Sequence, residues 1–185
     1  MRRKVYPSDL TTKQWQLIKP HLPAEKPNGR PRKTDLREVI NAMLYISRSG
    51  CPWSMLPEGF PARSTVHDYF MAWRDDGTWD EILRVLREDI REKVGRNKTP
   101  SAAIMDSQSV KTAAVSECTG YDGAKQIKGR KRHIAVDVLG LLIAVVVHSA
   151  GIDERSGAKL LMSKVFAIFP ALLKVWADGG YSGNP

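Results

Sequence analysis

Hydrophobic residues in the first half of the chain recur every three or four positions, which is the spacing of amphipathic helices. Four helices are predicted from four such stripes. Thr11 and Gln14 form a capping-box pattern ahead of the first stripe. The apolar positions, in chain order, are Trp15, Ile18 and Leu22; Leu36, Val39, Ile40, Met43 and Leu44; Val66, Tyr69, Phe70 and Trp73; and Trp79, Ile82, Leu83, Leu86 and Ile90.

Capping and breaking residues set the expected limits of these helices. Asp35 with Glu38, Ser64, and Thr78 with Glu81 are the candidate starts of the second, third and fourth helices. Proline and glycine interrupt the pattern at residues 23–31, 50–52 and 75–77, where helices cannot continue. The segment 95–100 has the composition of a linker, so a domain boundary is expected near residue 97.

The period of the pattern changes after this linker. Short β-rich runs at residues 102–105, 133–138, 141–148 and 172–177 predict four strands, with a hairpin turn at Leu139 and Gly140. Residues 152–169 predict one helix, with Leu160, Leu161, Val165 and Ile168 facing inward. The fold class expected from this order is α+β: a helical half followed by a half with a mixed sheet.

Two aspartates stand where apolar runs give way to small residues. Asp106 follows residues 103–105, and Asp178 follows residues 172–177, so each is expected at the tip of a buried strand. Paired carboxylates can share a divalent cation such as Mg²⁺, whose charge relieves their repulsion. A turn or capping role is the alternative for each one. Asp137 is interpreted as a structural residue of the hairpin, and Asp153 and Glu154 as helix N-terminal residues.

The charge of the chain favours nucleic acid as a partner. The 185 residues carry 29 Lys and Arg against 20 Asp and Glu, a formal charge of +9. Residues 1–37 hold ten basic and three acidic side chains, and residues 120–133 hold five and one. No cationic amphipathic helix, signal peptide or apolar run of about 20 residues accompanies them, so a membrane is not expected as a partner. Two distant cysteines fit a reducing, cytoplasmic setting.

Three basic or polar groups are candidate DNA contacts. The helix expected after Ser64 follows a turn and an earlier helix, as in a helix-turn-helix motif, and would present Arg63, Ser64, Thr65 and His67 to base edges. An ordinary surface helix is the alternative. Arg30, Arg32 and Lys33 form an extended basic arm suited to phosphate or minor-groove contacts, with a solvated linker as the alternative. Lys125, Lys128, Arg130, Lys131 and Arg132 are expected in a loop before a strand, where they would bind phosphates or remain solvated.

Taken together, these segments resemble bacterial insertion-sequence transposases of the DDE type, in the insertion-sequence-five group. The matching motifs are Trp15 with Leu22-Pro23, Gly29-Arg30-Pro31-Arg32, Asp35-Leu36-Arg37, Gly50-Cys51-Pro52-Trp53 with Leu56-Pro57, Ser64-Thr65-Val66, Phe70 with Trp73, Asp106-Ser107-Gln108-Ser109-Val110-Lys111, Gly129-Arg130-Lys131-Arg132-His133, Asp137 with Gly140, and Ala177-Asp178-Gly179-Gly180-Tyr181.

The resemblance implies an all-α, helix-turn-helix-like DNA-binding domain over residues 1–97 and an incomplete ribonuclease H-like α/β domain with a mixed sheet over residues 98–185. Asp106 and Asp178 match the family's first and second catalytic, metal-binding acids, which implies Mg²⁺ or Mn²⁺ as the cofactor. The implied reaction is strand cleavage and transfer at element ends. Its implied partners are double-stranded DNA, as terminal inverted repeats and target, and further copies of the chain.

The family's third acid, a glutamate on a helix well beyond the second aspartate, has no match in this chain. We therefore interpret the chain as an N-terminal portion of a transposase, with little catalysis expected on its own. Two other interpretations stay open at this point. One is a non-catalytic DNA-binding repressor or inhibitor, and the other is a degraded gene whose product folds poorly.

Overall fold

The computed structural model describes residues 3–25, 31–112 and 118–181. Contacts within the chain divide it into two compact units, Met1–Leu86 and Arg87–Pro185. The border between the units lies inside the fourth helix, and the domain boundary expected near residue 97 stays a prediction. None of the helices in the described ranges combines the length and the hydropathy needed to cross a bilayer.

The first unit is helical, as its periodicity predicts. The helices are α1 (Thr12–Ile18), α2 (Leu36–Ser49), α3 (Arg63–Asp75) and α4 (Thr78–Lys93), which continues into the second unit. Two short 3-10 turns lie at Lys19–His21 and Trp53–Met55. Pro20 falls in the first of them, so α1 ends at Ile18 and Leu22 lies beyond the helix.

Capping residues fix most of these helix ends. Thr11 and Gln14 form the expected capping box on α1, and the Asp35 carboxylate accepts from the backbone N–H of Arg37 at the start of α2. Gly50 ends α2 in the left-handed conformation, with φ of 69°. The expected capping roles of Ser64 and Thr78 were wrong. α3 begins one residue before Ser64, and the Thr78 hydroxyl donates to the Asp76 carboxylate at 2.6 Å.

The apolar stripes of α2 and α3 form the core of the first unit. Val39, Ile40, Val66 and Trp73 are buried there, and the Trp73 ring lies 5.4 Å from that of Trp79. Three positions expected to be inward are more than a third exposed: Leu44, Phe70 and Ile90. Leu44 and Phe70 lie at the edges of their stripes. In the part of α4 that belongs to the second unit, the arginines Arg87 and Arg91 are buried in place of Ile90.

The second unit is built on one mixed sheet of five strands. The strands are β1 (Ala102–Lys111), β2 (Gly120–Asp122), β3 (Ile127–Asp137), β4 (Leu142–Ser149) and β5 (Lys174–Ala177). β3 is central, because it pairs antiparallel with three strands, β1, β2 and β4. β5 pairs with β1 in parallel. A helical half followed by a half with a mixed sheet is the α+β order predicted from the sequence.

One helix, α5 (Glu154–Ile168), covers one face of the sheet. Leu161 and Val165 are fully buried against alternate residues of the strands, among them Ala103, Met105 and Ala135. Leu160 and Ile168, which the sequence placed inward, are 49% and 46% exposed. The inward row of α5 runs through positions 157, 161 and 165, four residues apart, and those two side chains lie off that row.

Candidate metal centre and nucleic-acid surface

Asp106 and Asp178 lie at the point where the parallel pairing of β1 and β5 stops. The last partners in the register are Met105 and Ala177, and each aspartate is the next residue along its chain. Adjacent strands lie about 4.8 Å apart, so the backbones at the two aspartates are neighbours although the residues are 72 positions apart in the sequence. Asp178 ends its strand as expected. Asp106 does not, because β1 continues to Lys111 along β3.

The pKa of Tyr181, three residues after Asp178, is above its usual value. Burial raises the pKa most, the Ser107 side chain lowers it, and the negative charges of Glu154, Asp106 and Asp178 raise it further.

The donor atoms at this point fit a hard divalent cation in part. Asp106 Oδ1 accepts from the backbone N–H of Ser107 at 2.7 Å, and Asp178 Oδ1 accepts from that of Gly180 at 3.1 Å. The second oxygen of each carboxylate has no hydrogen-bond partner among the described residues, and carboxylate oxygens are the ligands that Mg²⁺ prefers. In the same ranges, no three His, Cys, Asp or Glu side chains are close enough to share an ion.

Glu154 and Lys125 contact the strand that carries Asp106, which the sequence did not predict. The Ser107 hydroxyl donates to Glu154 Oε1 at 3.0 Å, and Lys125 Nζ lies 3.1 Å from the same oxygen. Burial alone would raise the pKa of Glu154, but these two partners lower it overall. A glutamate one residue past the N-cap Asp153 has the sequence pattern of a dipole-favoured helix residue, and only the tertiary structure brings it to Ser107.

Asp137 is structural, as the sequence analysis interpreted it. Its side chain is fully buried, forms an ion pair with Arg91, and accepts from the backbone N–H groups of Leu139 and Leu141, both at 2.9 Å. The left-handed Gly140 completes this hairpin turn, with φ of 78°. The carboxylate therefore joins α4 to the β3–β4 turn.

Of the five basic residues that were expected in a loop, Lys125 lies in the turn before β3, and the other four belong to β3 itself. Their side chains alternate between the two faces of the sheet: Lys128, Arg130 and Arg132 are exposed, while Lys131 is buried. Lys131 Nζ forms an ion pair with Asp122 at 3.1 Å, with side chains 4% and 5% exposed. Burial of that pair excludes Lys131 from the surface formed by the other three.

The basic arm is described only in part. Arg30 lies outside the described residues. Arg32 donates to the backbone carbonyls of Pro23 and Ala24, at 2.9 and 3.0 Å, and Lys33 is exposed.

The start of α3 presents the polar residues that the sequence placed there. Arg63, Ser64 and His67 are exposed and Thr65 is partly buried. The His67 ring lies 5.2 Å from that of Trp53 in an edge-to-face contact, which orients the imidazole. Val66, on the opposite side of the helix, is fully buried against α2.

Comparisons with known proteins agree with this architecture. Residues 10–83 match the family model "Putative transposase of IS4/5 family (DUF4096)", and residues 97–185 match "Transposase DDE domain". The second match, together with the mixed sheet, defines the class of the second half as a DDE domain of ribonuclease H-like fold. The chain belongs to the DDE transposases of bacterial insertion sequences, which confirms the resemblance seen in its motifs. DDE transposase domains generally use divalent metal ions.

Two curated proteins are similar to parts of the chain. "Uncharacterized protein y4sN" of Sinorhizobium fredii (strain NBRC 101917 / NGR234) is 32% identical over 76 residues, which cover 41% of this chain and 61% of that protein. "Insertion element IS402 uncharacterized 16.2 kDa protein" of Burkholderia cepacia is 26% identical over 112 residues, which cover 57% of this chain and 75% of that protein. No solved structure matches the chain significantly.

Proposed function

We propose that this chain binds insertion-element DNA through its helical half and contributes Asp106 and Asp178 to a Mg²⁺ or Mn²⁺ centre for strand cleavage and transfer. The register of β1 against β5 is the observation that carries the proposal, because it makes the two aspartates neighbours. The proposed domains are residues 1–97 for DNA binding and 98–185 for the catalytic site. Assembly of several copies on DNA belongs to the same proposal.

Two groups of residues would have separate roles in this function, metal binding and phosphate binding. Asp106 and Asp178 would hold the ion, which when bound supplies a Lewis acid for transfer of a phosphoryl group. Lys128, Arg130 and Arg132 would bind backbone phosphates along the outer face of β3. The family's third acid has no match in residues 1–185, so we expect this chain alone to bind the ion weakly and to cleave DNA poorly.

Metal binding tests the site directly. Mn²⁺ titrated into the chain should bind with an affinity that Asp106→Asn and Asp178→Asn each reduce by an order of magnitude or more. Asp80→Asn, which changes an exposed aspartate of α4, is the matched control and should leave the affinity unchanged. Equal Mn²⁺ binding by the wild-type chain and the Asp106→Asn variant would contradict the proposed centre.

Binding to terminal-repeat DNA tests the helix-turn-helix-like role of α3. The chain should prefer the inverted terminal repeat of its element over random duplex at fixed salt, and Arg63→Ala with His67→Ala should remove that preference, since a lost base contact costs about 1–3 kcal/mol of discrimination. Arg74→Ala, at the far end of the same helix, is the control. A wild-type chain without any preference would rule out base recognition by α3.

A further inference from the structure

The turn that carries Asp178 is fastened to the rest of the second unit by Tyr181. Residues Gly179–Tyr181 form a single 3-10 turn directly after β5, and the Tyr181 N–H donates to the carbonyl of Asp178 at 3.2 Å. β5 itself pairs with β1 over only four residues and has no other strand partner in the described ranges. Because only four residue pairs hold β5 at the edge of the sheet, the segment after β5 needs a further restraint. Tyr181 is the next residue that can restrain Asp178.

The Tyr181 hydroxyl lies 3.0 Å from Nδ1 of His133 on β3. His133 is the partner of Ser107, the residue after Asp106, in the antiparallel register of β1 and β3. One hydroxyl group therefore joins the Asp178 turn to the strand that pairs with β1 beside Asp106.

The direction of this hydrogen bond follows from the other ring nitrogen of His133. Nε2 is buried and has no hydrogen-bond partner among the described residues, so a proton on Nε2 would be left unpaired at a cost in free energy. Nδ1 therefore carries the proton and donates it to the Tyr181 oxygen.

The surroundings of His133 hold its ring in place. Nε2 of His133 is buried and without a hydrogen-bond partner, as an unprotonated nitrogen on an Nδ1–H ring can be. The ring is fully buried, and its centroid lies 4.9 Å from that of His148. Gly157 of α5 leaves the room for both rings: a Cβ there would lie 2.1 Å from His133 Nε2 and 2.5 Å from His148 Nε2.

We propose that Tyr181 is a positioning residue for the candidate metal centre: its hydroxyl, hydrogen-bonded to His133, fixes the Asp178 carboxylate relative to that of Asp106. The inference rests on the proposed function, because it assigns this hydrogen bond a role in binding the ion. It adds residues that do not themselves touch the ion.

Removal of one oxygen atom tests the proposal. Tyr181→Phe keeps the ring and should weaken Mn²⁺ binding about tenfold, which is the lower end of the effect of residues that orient metal ligands. Tyr121→Phe removes the hydroxyl of a tyrosine that is 59% exposed on β2 and should leave the affinity unchanged. His133→Gln should cause a loss similar to that of Tyr181→Phe, and the double variant should lose little more, because both changes break the same hydrogen bond.

A spectroscopic readout separates positioning from general destabilisation. The ¹⁵N shifts of His133 should report the Nδ1–H tautomer in the wild-type chain and a change of tautomer or a mixture in Tyr181→Phe, while the melting temperatures of Tyr181→Phe and Tyr121→Phe stay close. A His133 tautomer that is the same in both proteins would overturn the inference.

The failures of the two proposals are distinguishable. If Asp106→Asn abolishes Mn²⁺ binding and Tyr181→Phe leaves it intact, the metal centre stands and the role of Tyr181 is refuted. If Asp106→Asn has no effect on Mn²⁺ binding, the metal centre is refuted and the positioning role is refuted with it.

Discussion

At the scale of single residues, the Asp137 carboxylate is more constrained than that of either candidate metal ligand. Its side chain is completely buried, pairs with Arg91, and accepts two backbone hydrogen bonds. Buried pairs contribute little net stability, but removal of one partner leaves the other charge buried and uncompensated. Removal of the Asp137 charge is therefore predicted to reduce stability strongly.

Asp137→Asn should lower the free energy of unfolding by about 3 kcal/mol or more, because the Arg91 guanidinium loses its counter-charge. Chemical denaturation followed by circular dichroism measures the change. Asp89→Asn, on the helix α4 that carries Arg91, is the control. It removes a solvent-accessible ion pair with Lys93 and should lower the free energy of unfolding by roughly 0.5 kcal/mol or less. Similar losses in both variants would contradict the assignment of Asp137 as a buried anchor.

His133 makes the stability of the second unit depend on pH. Burial, with the positive charges of His148 and Lys131, lowers the pKa of His133 to about 4. In the unfolded chain the same imidazole takes up a proton near pH 6.5, so the unfolded state binds more protons between those values. Stability should therefore fall as pH decreases from about 6.5 towards 4.

Denaturation midpoints measured at pH 7.5, 6.0 and 5.0 test this expectation. Carboxylates with lowered pKa values, such as Asp122 and Glu154, titrate mainly below this window. His133→Gln should flatten the decline, whereas His67→Gln, which changes an exposed ring, should not. A decline of the same slope in the His133→Gln variant would show that another group is responsible.

At the scale of elements, the close contact of α5 with the sheet depends on Gly157. Alanine is the better helix former by about 1 kcal/mol, so propensity alone predicts that Gly157→Ala stabilises the chain. The contact predicts the opposite sign, because an added methyl group would collide with His133 and His148.

We expect Gly157→Ala to lower the melting temperature and Ser163→Ala, at an exposed position of the same helix, to maintain or raise it. The same Gly157→Ala variant should weaken Mn²⁺ binding, because displacement of His133 disturbs Tyr181. An increase in melting temperature on Gly157→Ala would contradict the packing of the two rings against α5.

The strands show how an element can relocate candidate functional residues. Lys128, Arg130, Lys131 and Arg132 are one basic cluster in the sequence, but the alternation of β3 separates Lys131 from the other three. Basic residues that are consecutive in sequence therefore do not form one continuous charged surface when they lie in a regular strand. Here the regular strand leaves three of the four on the face opposite α5.

At the scale of the whole molecule, the formal charge of +9 predicts salt-sensitive binding to DNA. Each phosphate neutralised by a basic side chain contributes about −0.9 to the slope of log affinity against log salt concentration. Lys128→Gln should reduce the magnitude of that slope by about one unit if the outer face of β3 binds DNA. Lys159→Gln, at an exposed position of α5, should leave the slope unchanged. Equal slopes for the two variants would exclude the outer face of β3 as the phosphate-binding surface.

The sequence by itself determined the helical half, the change to strands, and the family. These features are local: a capping box at Thr11, a left-handed glycine at Gly50 and the hairpin at Gly140 depend on near neighbours in the chain. The motif around Asp106 and the motif around Asp178 identified the DDE transposases for the same reason, since each is a short run of residue types.

The family resemblance implied that Asp106 and Asp178 share a site, and the tertiary structure supplied the parallel register of β1 and β5 that makes them neighbours. Only the tertiary structure decided that the start of α5 brings Glu154 to Ser107, that Lys131 is buried, and that Asp106 lies inside a ten-residue strand instead of at its tip. The hydrophobic pattern of a strand sets which of its faces is buried, but which distant strand lies beside it depends on the packing of the whole unit.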